Sequence, residues 1–380
     1  MTGLFRLALM AIAIWVTAIW HEERPQGREP AESSWSPKAA SAYLDQRAGW
    51  WLDWSSAARG QETTCLSCHT TMPFAMARGA LRKWLGESSP GDLESRLLDN
   101  VRKRVEGWQQ IVSGSGTQKD PFRPFYGKEK RAAALGTESV LNALVLVNDD
   151  ARGNGGKLSD PASKALDHLW SQQQPSGAWL WLDFGLRPWE TEGEYYGAAL
   201  AAVAVGTAGK KYPRYADVHD KMAALRQYLQ TRFPIQPLHH RVLALWASST
   251  FEGVLSSEEK RNLLQEVLDT QESDGGWALP KLGKRPSEAG QWKQHGSVPA
   301  ETFSDGYATG LVVFALRRAG VPADDPKLKK ALDWLKSHEK EGTWPAIYIN
   351  MKRDPNTNVG KFMRDASTAF AVLALTDAAP

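Results

Sequence analysis

The feature that most constrains the fold is a repeated unit, in which a helix-like run is followed by a turn containing glycine and tryptophan. The segments Gln173 to Trp179 and Gln271 to Trp277 both read Q-x-x-x-G-x-W. A third copy, His338 to Trp344, has the same form with histidine in place of glutamine. Because such a unit cannot bury its apolar face by itself, the repetition predicts an architecture in which neighbouring units stack.

Each turn is followed by a second helix that is rich in alanine and leucine. Small residues occur on nearly every face of these helices, so we expect them to be surrounded by protein. The helices before the turns, such as 163–173 and 258–270, carry charges at helical spacing and are expected to face solvent. The predicted inner helices cover residues 73–85, 138–147, 194–203, 238–248, 305–316 and 365–375.

Alternation of buried and amphipathic helices predicts an all-α protein, an α/α toroid with six inner and six outer helices, over residues 40–380. No stretch alternates apolar and polar residues as a half-buried strand would. The composition, with 42% hydrophobic and 23% charged residues, is that of a globular protein. A net charge of +3 is not the large positive excess that is typical of nucleic-acid-binding proteins, so we expect no nucleic-acid partner.

The first twenty residues differ from the rest of the chain. Arg6 is followed by an uncharged run from Leu7 to Trp20, an order typical of a secretory signal. Left uncleaved, Leu4 to Trp20 is just long enough to anchor the chain in a membrane. A buried N-terminal helix is the alternative, but it would usually show a polar face. We therefore expect residues 1–20 to be a signal peptide or inner-membrane anchor and 21–39 a linker. The remainder would then be periplasmic or exported.

The chain has only two cysteines, and both lie in the segment Cys65-Leu66-Ser67-Cys68-His69. Two thiols at this spacing followed by an imidazole form the pattern that attaches haem covalently. The pattern predicts haem c as a cofactor, with Cys65 and Cys68 forming the thioethers and His69 as an axial ligand of the iron. The sixth ligand is not identifiable from the sequence. The alternatives are a local disulfide, a redox dithiol or half of a metal site.

The cysteine segment immediately precedes Pro73, which suits the first turn of an inner helix. Inner helices of a closed ring begin at one mouth, so we expect a group attached here to lie at that mouth. Carboxylates cluster near the same predicted mouth and serve either as acid–base catalysts or as helix caps. The candidate catalytic residues among them are Glu194 and Asp305. The full set is Glu138, Glu192, Glu194, Glu301, Asp305 and Asp365.

The repeated turns, the alanine-rich helices headed by an acid, and the 17 tryptophans resemble the squalene-cyclase and prenyltransferase-type α/α toroids. The resemblance covers roughly residues 40–380. It implies that the turn glutamines and tryptophans tie outer helices together, and it implies nothing catalytic. The chain lacks the Asp-x-Asp-Asp motif of hopanoid-forming cyclases, and its only cysteines lie outside any prenyltransferase-like zinc site. The matching positions are Gln173, Gly177, Trp179, Gln271, Gly275, Trp277, Gly342 and Trp344.

Two functional hypotheses follow. The first is an exported haem-c protein that transfers electrons to a redox partner or binds a small-molecule ligand at the iron in the barrel mouth. The second is a toroid enzyme or binding module that acts on a terpenoid or a glycan, with Cys65 and Cys68 as a structural disulfide or a redox pair. A scaffold that only binds a partner is a third possibility. The sequence leaves open whether the protein is an enzyme.

Overall fold

The computed structural model describes residues 35–115, 117–153, 155, 157–185, 187–190, 192–283, 303–349 and 353–376. They belong to one compact unit, Ser34–Pro380. Within these ranges, no helix combines the length and apolarity that a membrane crossing requires. The predicted signal or anchor, residues 1–20, lies outside the described residues, as do residues 21–34 of the predicted linker.

The described ranges contain fourteen α-helices and one short β-hairpin. In chain order they are α1 (Pro37–Asp53), β1 (Ala58–Gly60), β2 (Thr63–Thr64), α2 (Thr71–Leu85), α3 (Asp92–Glu106), α4 (Trp108–Ser113), α5 (Arg131–Gly153), α6 (Asp160–Ser171), α7 (Gly193–Ala208), α8 (His219–Arg232), α9 (Leu238–Ala247), α10 (Ser257–Asp269), α11 (Leu279–Leu282), α12 (Gly306–Arg318), α13 (Pro326–Ser337) and α14 (Phe362–Thr376). The antiparallel hairpin pairs Ala58 with Thr64, and the sequence patterns did not indicate it.

Six helices form a closed inner ring: α2, α5, α7, α9, α12 and α14. Each packs against the next along the chain, and α14 packs against α2. Small residues allow this close packing. A Cβ atom at Gly310 of α12 would lie 2.5 Å from the backbone nitrogen of Ala371 on α14, so only glycine permits the approach. The predicted ring of six inner helices is confirmed.

The outer ring consists of α1, α3, α6, α8, α10 and α13. Helix α10 illustrates why these segments are amphipathic. Its N-cap Ser256 and the third helical residue, Glu259, form a reciprocal capping box, while Leu263 and Val267 are its buried residues. The charged positions of the predicted helix 258–270 face solvent. Six outer helices around six inner ones confirm the predicted all-α toroid.

The repeated turns after α6 and α10 each connect one outer helix to the next. The indole nitrogens of Trp179 and Trp277 donate hydrogen bonds to the carbonyls of Leu169 and Val267, at 2.7 and 3.0 Å. The amide of Gln271 donates both to the carbonyl of Gly275 within its own turn and to that of Lys327 in α13, each at 2.8 Å. The turn therefore bridges two consecutive outer helices, which is the role that the family resemblance implied.

The glycine of each turn is also required, because the backbone angle and the close packing at that position exclude a side chain. Gly177 and Gly275 have φ angles of +93° and +103°, a backbone region that residues other than glycine rarely adopt. A Cβ atom at Gly177 would also lie 2.2 Å from the carbonyl oxygen of Ala224 on α8. In the third copy, His338 stacks on Trp334 at a centroid distance of 4.2 Å, within its own unit.

Replacing Trp277 with alanine should lower the free energy of unfolding by about 3–5 kcal/mol, because a large side chain that is 1% exposed would leave a cavity. Trp277→Phe should cost less, since it removes the indole hydrogen bond but keeps most of the bulk. Chemical denaturation with a fluorescence readout would measure both. The matched control is Trp84→Ala, at a position 56% exposed, which should change stability by about 0.5 kcal/mol or less. Equal losses at the two positions would contradict the structural role of the turn.

Candidate functional site

The loop with Cys65, Cys68 and His69 joins the hairpin to α2 and lies at the N-terminal mouth, the end of the ring where the inner helices begin. Trp51 of α1 fixes this loop by donating from its indole nitrogen to the carbonyl of Cys65, at 2.7 Å. The two thiols are not joined in a disulfide; Cys65 is buried and Cys68 partly so. Burial raises the pKa of both thiols, so neither is a reactive thiolate at neutral pH.

Aromatic side chains enclose the imidazole of His69. The ring stacks on Phe362 with centroids 3.8 Å apart, and it lies 5.3 Å from the ring of Trp51 and 5.6 Å from that of Trp189. Burial, with a smaller contribution from the charges of Arg353 and Arg47, lowers the pKa of His69 to about 3. The imidazole is therefore neutral throughout the physiological pH range.

This packing corrects the prediction of haem c. A porphyrin bound to Cys65 and Cys68 would need room for a whole macrocycle beside both sulfurs and next to His69. Cys65 is buried and Cys68 is partly buried, and Phe362, Trp51 and Trp189 pack against the imidazole and leave His69 only 6% exposed. In the described part of the chain, three cavities of about 1480, 710 and 460 Å³ are lined by neither the cysteines nor His69. Nor do the described residues hold a cluster of three or more metal-binding side chains. The predictions of haem c as the cofactor and of electron transfer as the function are therefore wrong.

A chain of hydrogen bonds instead connects His69 to a buried carboxylate. Thr70 donates from its hydroxyl to Asp365, at 2.7 Å, so the same hydroxyl accepts from Nδ1–H of His69, at 2.9 Å. Asp365 is held in turn by Arg47, through Nε and Nη2 at 2.7 and 2.9 Å, and by the hydroxyl of Tyr43, at 2.8 Å. This arrangement fixes the tautomer of His69 and leaves the lone pair on Nε2.

The two candidate catalytic acids lie in different environments. Asp305 is fully buried at the start of α12, where its carboxylate accepts from the backbone N–H groups of Tyr307, Ala308 and Leu279. Glu194 is exposed in the first turn of α7 and contributes, after burial, to the raised pKa of Tyr228 on the outer helix α8. Asp305 therefore acts as a helix cap, and Glu194 lies on the side of α7 that faces the outer ring.

Three of the remaining carboxylates named from the sequence lie in described parts of the chain. Glu138 forms a buried ion pair with Arg104, at 2.6 Å, and Asp365 belongs to the His69 chain. Glu192 immediately precedes α7 with a positive φ of 53°. Glu301 lies outside the described residues.

Two exposed aromatic rings form a surface at the N-terminal mouth that the sequence analysis did not identify. Tyr126 and Phe184, 39% and 44% exposed, lie with their ring centroids 4.5 Å apart, and we call this pair the rim platform. Arg59 lies over Tyr126 and Lys130 over Phe184, at 5.3 and 3.6 Å from the ring centroids. The backbone N–H of Phe184 donates to Glu190, at 2.6 Å. Exposed aromatics next to turn residues were the only sequence signal available.

The rim platform lies close to the cysteine loop. Burial and the neighbouring Cys65, Glu190 and Cys68 raise the pKa of Tyr126 to about 12. Trp189, next to Glu190 in sequence, contacts the ring of His69 on one side and that of Tyr307 on the other, at 5.6 and 5.9 Å. The N-terminal mouth thus combines exposed aromatic rings, charged groups of both signs and a neutral histidine.

Polar aromatic residues fill the ring interior below the N-terminal mouth. The Nε2 atom of His239 lies 2.9 Å from the hydroxyl of Tyr307, and its Nδ1 atom lies 3.2 Å from Nδ1 of His240. Tyr196 stacks on His239 with ring centroids 6.3 Å apart. All four side chains are buried, and they close the interior of the ring at this end.

The opposite end of the ring is open. A cavity of about 1480 Å³ lies where the inner helices end, and we call it the C-terminal bowl. Its floor consists of buried apolar side chains, and its wall carries several arginines. The sequence analysis placed no site here. The floor is formed by Met76, Ala80, Val203, Trp246 and Phe314, and the wall by Arg82, Arg102, Arg152 and Arg318.

No family model and no curated protein matches this chain. Solved structures with a similar fold include the unsaturated glucuronyl hydrolase from Bacillus sp. GL1, at 10% identity and a TM-score of 0.51, over 89% of this chain and 94% of that one. A polysaccharide lyase has 12% identity and a TM-score of 0.47, over 89% and 97%. The ent-copalyl diphosphate synthase from Streptomyces platensis has 14% identity and a TM-score of 0.45, over 80% and 51%. At 10% identity, the similarity to the glucuronyl hydrolase shows the fold alone, an α/α toroid.

Asp305 should make the stability of the protein depend on pH between about 4 and 7. Burial raises the pKa of Asp305 to about 7, so in this range the folded state binds a proton that the unfolded state has released. The free energy of unfolding should therefore fall as the pH rises, by about 3 kcal/mol from this group. Denaturation curves at several pH values would measure it. Asp305→Asn should remove that part of the dependence, whereas Glu194→Gln should not; identical pH profiles for Asp305→Asn and the wild type would contradict the assignment.

Proposed function

We propose that the protein acts on a glycan that binds at the N-terminal mouth, with His69 as the general base. The observation that carries the proposal is the hydrogen-bonded chain from His69 through Thr70 to Asp365, at the same mouth of the ring as an exposed aromatic platform. We also propose that the protein works outside the cytoplasm, because residues 1–20 contain a basic residue followed by an uncharged, apolar run, as an export signal does.

The rim platform suits the C–H face of a sugar ring. Tyr126 and Phe184 offer rigid, partly exposed aromatic surfaces, which bind such faces with little loss of side-chain entropy. Arg59, Lys130 and Glu190 surround them and supply hydrogen-bond donors and acceptors for hydroxyl groups. A surface that combines apolar rings with a few convergent polar groups is typical of ligand sites.

His69 has the properties of an oriented base. Its Nδ1 atom is bound to Thr70, so the Nε2 lone pair is the one that can accept a proton. Asp365 stabilises the imidazolium that would form, and Arg47 keeps that carboxylate in position. Proton transfer by such a positioned group contributes typically about 10²–10⁴-fold to a rate.

The charges around His69 favour an acidic glycan. The guanidinium groups of Arg353 and Arg47 help to lower the pKa of the imidazole to about 3, which makes it a weak base in the unliganded protein. Arg353 lies 5.6 Å from the ring centroid of Phe362, which itself stacks on His69. A sugar carboxylate bound to Arg353 would oppose its charge and raise the pKa of His69, and with it the strength of the base.

The fold supports a glycan rather than a terpenoid as the substrate. The solved toroid with a TM-score of 0.51 is a glucuronyl hydrolase described as responsible for the degradation of glycosaminoglycan. Below the N-terminal mouth the interior is filled by Tyr307, His239 and their neighbours, which leaves little room for a folded hydrocarbon chain there. A ligand at this end would therefore bind across the rim.

The test incubates the purified full chain with hyaluronan and alginate as acidic glycans and with cello-oligosaccharides as neutral ones. Calorimetry would measure binding, and mass spectrometry would detect products. We expect His69→Gln to reduce kcat on an acidic glycan by at least about 100-fold with little change in affinity. Phe184→Ala should weaken binding by about tenfold, because it removes half of the rim platform.

Two further variants separate chemistry from structural damage. Thr70→Val removes the hydroxyl that orients His69, so kcat should fall while KM changes little, and the pH profile of kcat should shift. Glu194→Gln is the matched control, because its side chain is exposed on the outer side of α7 and should leave both parameters unchanged. Absence of binding to every glycan, or full turnover by His69→Gln, would refute the proposal.

A further inference from the structure

The end of α1 carries a second aromatic surface at the N-terminal mouth, where the chain turns toward α2. Trp50 and Trp54 stack with their ring centroids 5.0 Å apart, and both side chains are partly exposed. We call this pair the tryptophan platform. Most other tryptophans of the described ranges are buried, so packing of the core does not account for these two.

The indole N–H groups of the tryptophan platform are open to solvent. Within the described ranges neither group donates a hydrogen bond, and neither nitrogen is buried. The adjacent Trp51 differs, because its indole nitrogen donates to the carbonyl of Cys65, at 2.7 Å. Two unused donors next to aromatic rings suit a ligand that offers both an apolar face and hydroxyl groups, as a sugar does.

The neighbours of the tryptophan platform hold it in place. The guanidinium group of Arg47 lies over Trp50, 4.4 Å from the ring centroid, and two hydrogen bonds fix Arg47 to Asp365. The buried ring of Trp51 meets that of Trp54 at a centroid distance of 5.4 Å. A surface that is already fixed loses little side-chain entropy when a ligand binds.

The tryptophan platform adjoins the enclosure of His69. Phe362, which stacks on the imidazole at 3.8 Å, lies 6.2 Å from the ring of Trp50. Trp51, 5.3 Å from the imidazole, contacts the ring of Trp54. A ligand on the platform would therefore be separated from the histidine by one layer of aromatic rings.

Arg353 provides a positive charge without a partner at the same place. Its guanidinium carbon lies 5.6 Å from the ring centroid of Phe362, the ring that also contacts Trp50. The side chain is partly exposed, and no hydrogen bond or ion pair engages it in the part of the chain that the structure describes. Its planar guanidinium group can hold a carboxylate with two parallel hydrogen bonds.

Two acidic side chains near Arg353 are already engaged. Asp365 accepts two hydrogen bonds from Arg47, at 2.7 and 2.9 Å, and one from Thr70, at 2.7 Å. Asp354 is exposed and accepts from a backbone N–H group of its own loop, at 2.9 Å. Neither carboxylate forms an ion pair with Arg353. An anionic ligand is therefore favoured over a neutral one at this place.

We propose that the tryptophan platform and Arg353 form a subsite for an acidic glycan, with the apolar face of one sugar residue on Trp54 and a uronate carboxylate on Arg353. The inference rests on the proposed function for its class of ligand, and it adds the surface that would hold the glycan beside His69. Simpler ligands match only part of the subsite. A neutral glycan would leave the guanidinium group without an anion, a small anion would leave the rings uncovered, and an alkyl chain would give the indole N–H groups no acceptor.

Calorimetric titration of the full chain with three ligands tests both parts of the subsite. The ligands are alginate oligosaccharides, the same oligosaccharides with their carboxyl groups reduced to alcohols, and acetate. The titrations use the wild type and His69→Gln, which should not consume the ligand. We expect the acidic oligosaccharides to bind at least about tenfold more tightly than the reduced ones, and acetate to show no measurable binding. Equal affinity for the reduced oligosaccharides would overturn the role of Arg353, and equal affinity for acetate would overturn the role of the platform.

Variants place the ligand on the subsite. Arg353→Gln should weaken binding of the acidic oligosaccharides by about tenfold and leave the reduced ones unaffected, and Arg353→Lys should keep part of the affinity, since it retains the charge without the fork. Trp54→Ala should weaken both ligands by about tenfold, and Trp54→Phe should weaken them less. The matched controls are Trp84→Ala and Arg214→Gln. Both change exposed residues at the opposite end of the ring and should leave binding unchanged.

Failure of the subsite can be distinguished from failure of the proposed function. If no acidic glycan binds to the wild type, both are overturned. If acidic glycans bind and Arg353→Gln binds them as tightly as the wild type, the subsite alone is overturned, because the rim platform remains as a binding surface. Arg353 makes no hydrogen bond within the described ranges, so this variant decides the question even if circular dichroism shows that Trp54→Ala does not fold.

Discussion

The buried ion pair between Arg47 and Asp365 joins the first outer helix to the last inner helix, and the rest of the structure depends on that junction. The two residues are 318 positions apart, and both are almost completely buried. Removal of either charge would leave the other unpaired in a low-dielectric interior, which is costly. Because Thr70 and Tyr43 bind the same carboxylate, the contact that closes the ring also orients the histidine at its mouth.

The sequence predicted the architecture well because the signals for it are local. Helix periodicity and the Q-x-x-x-G-x-W turn can each be recognised within a short segment of the sequence, and the acid at the head of an inner helix follows the turn by 15 to 28 residues. Gln173 and Gln271 both donate to their own turn and to the next outer helix, whereas His338 in the third copy contacts its own unit. One glutamine copy is therefore enough to predict how the other packs.

The same local reasoning failed for the cysteine segment. The spacing of Cys65, Cys68 and His69 is that of a haem-attachment pattern, but such a pattern says nothing about the space around it. Phe362 and Trp189, which enclose the imidazole, come from parts of the chain more than 100 residues away. The sequence patterns did not indicate the C-terminal bowl, for a related reason. Arg82 and Arg152 lie in the last turns of helices, where basic residues are expected as partners of the helix dipole.

The closed ring also limits how a chain of this kind can change in length. In an open solenoid a further unit can be added at either end, because each unit contacts only its neighbours. Here α14 must meet α1 and α2, so a seventh pair of helices, or the loss of one, would separate Arg47 from Asp365 and dismantle the mouth. Insertions and deletions are therefore tolerated in the connections between helices, whereas the number of units is fixed by geometry.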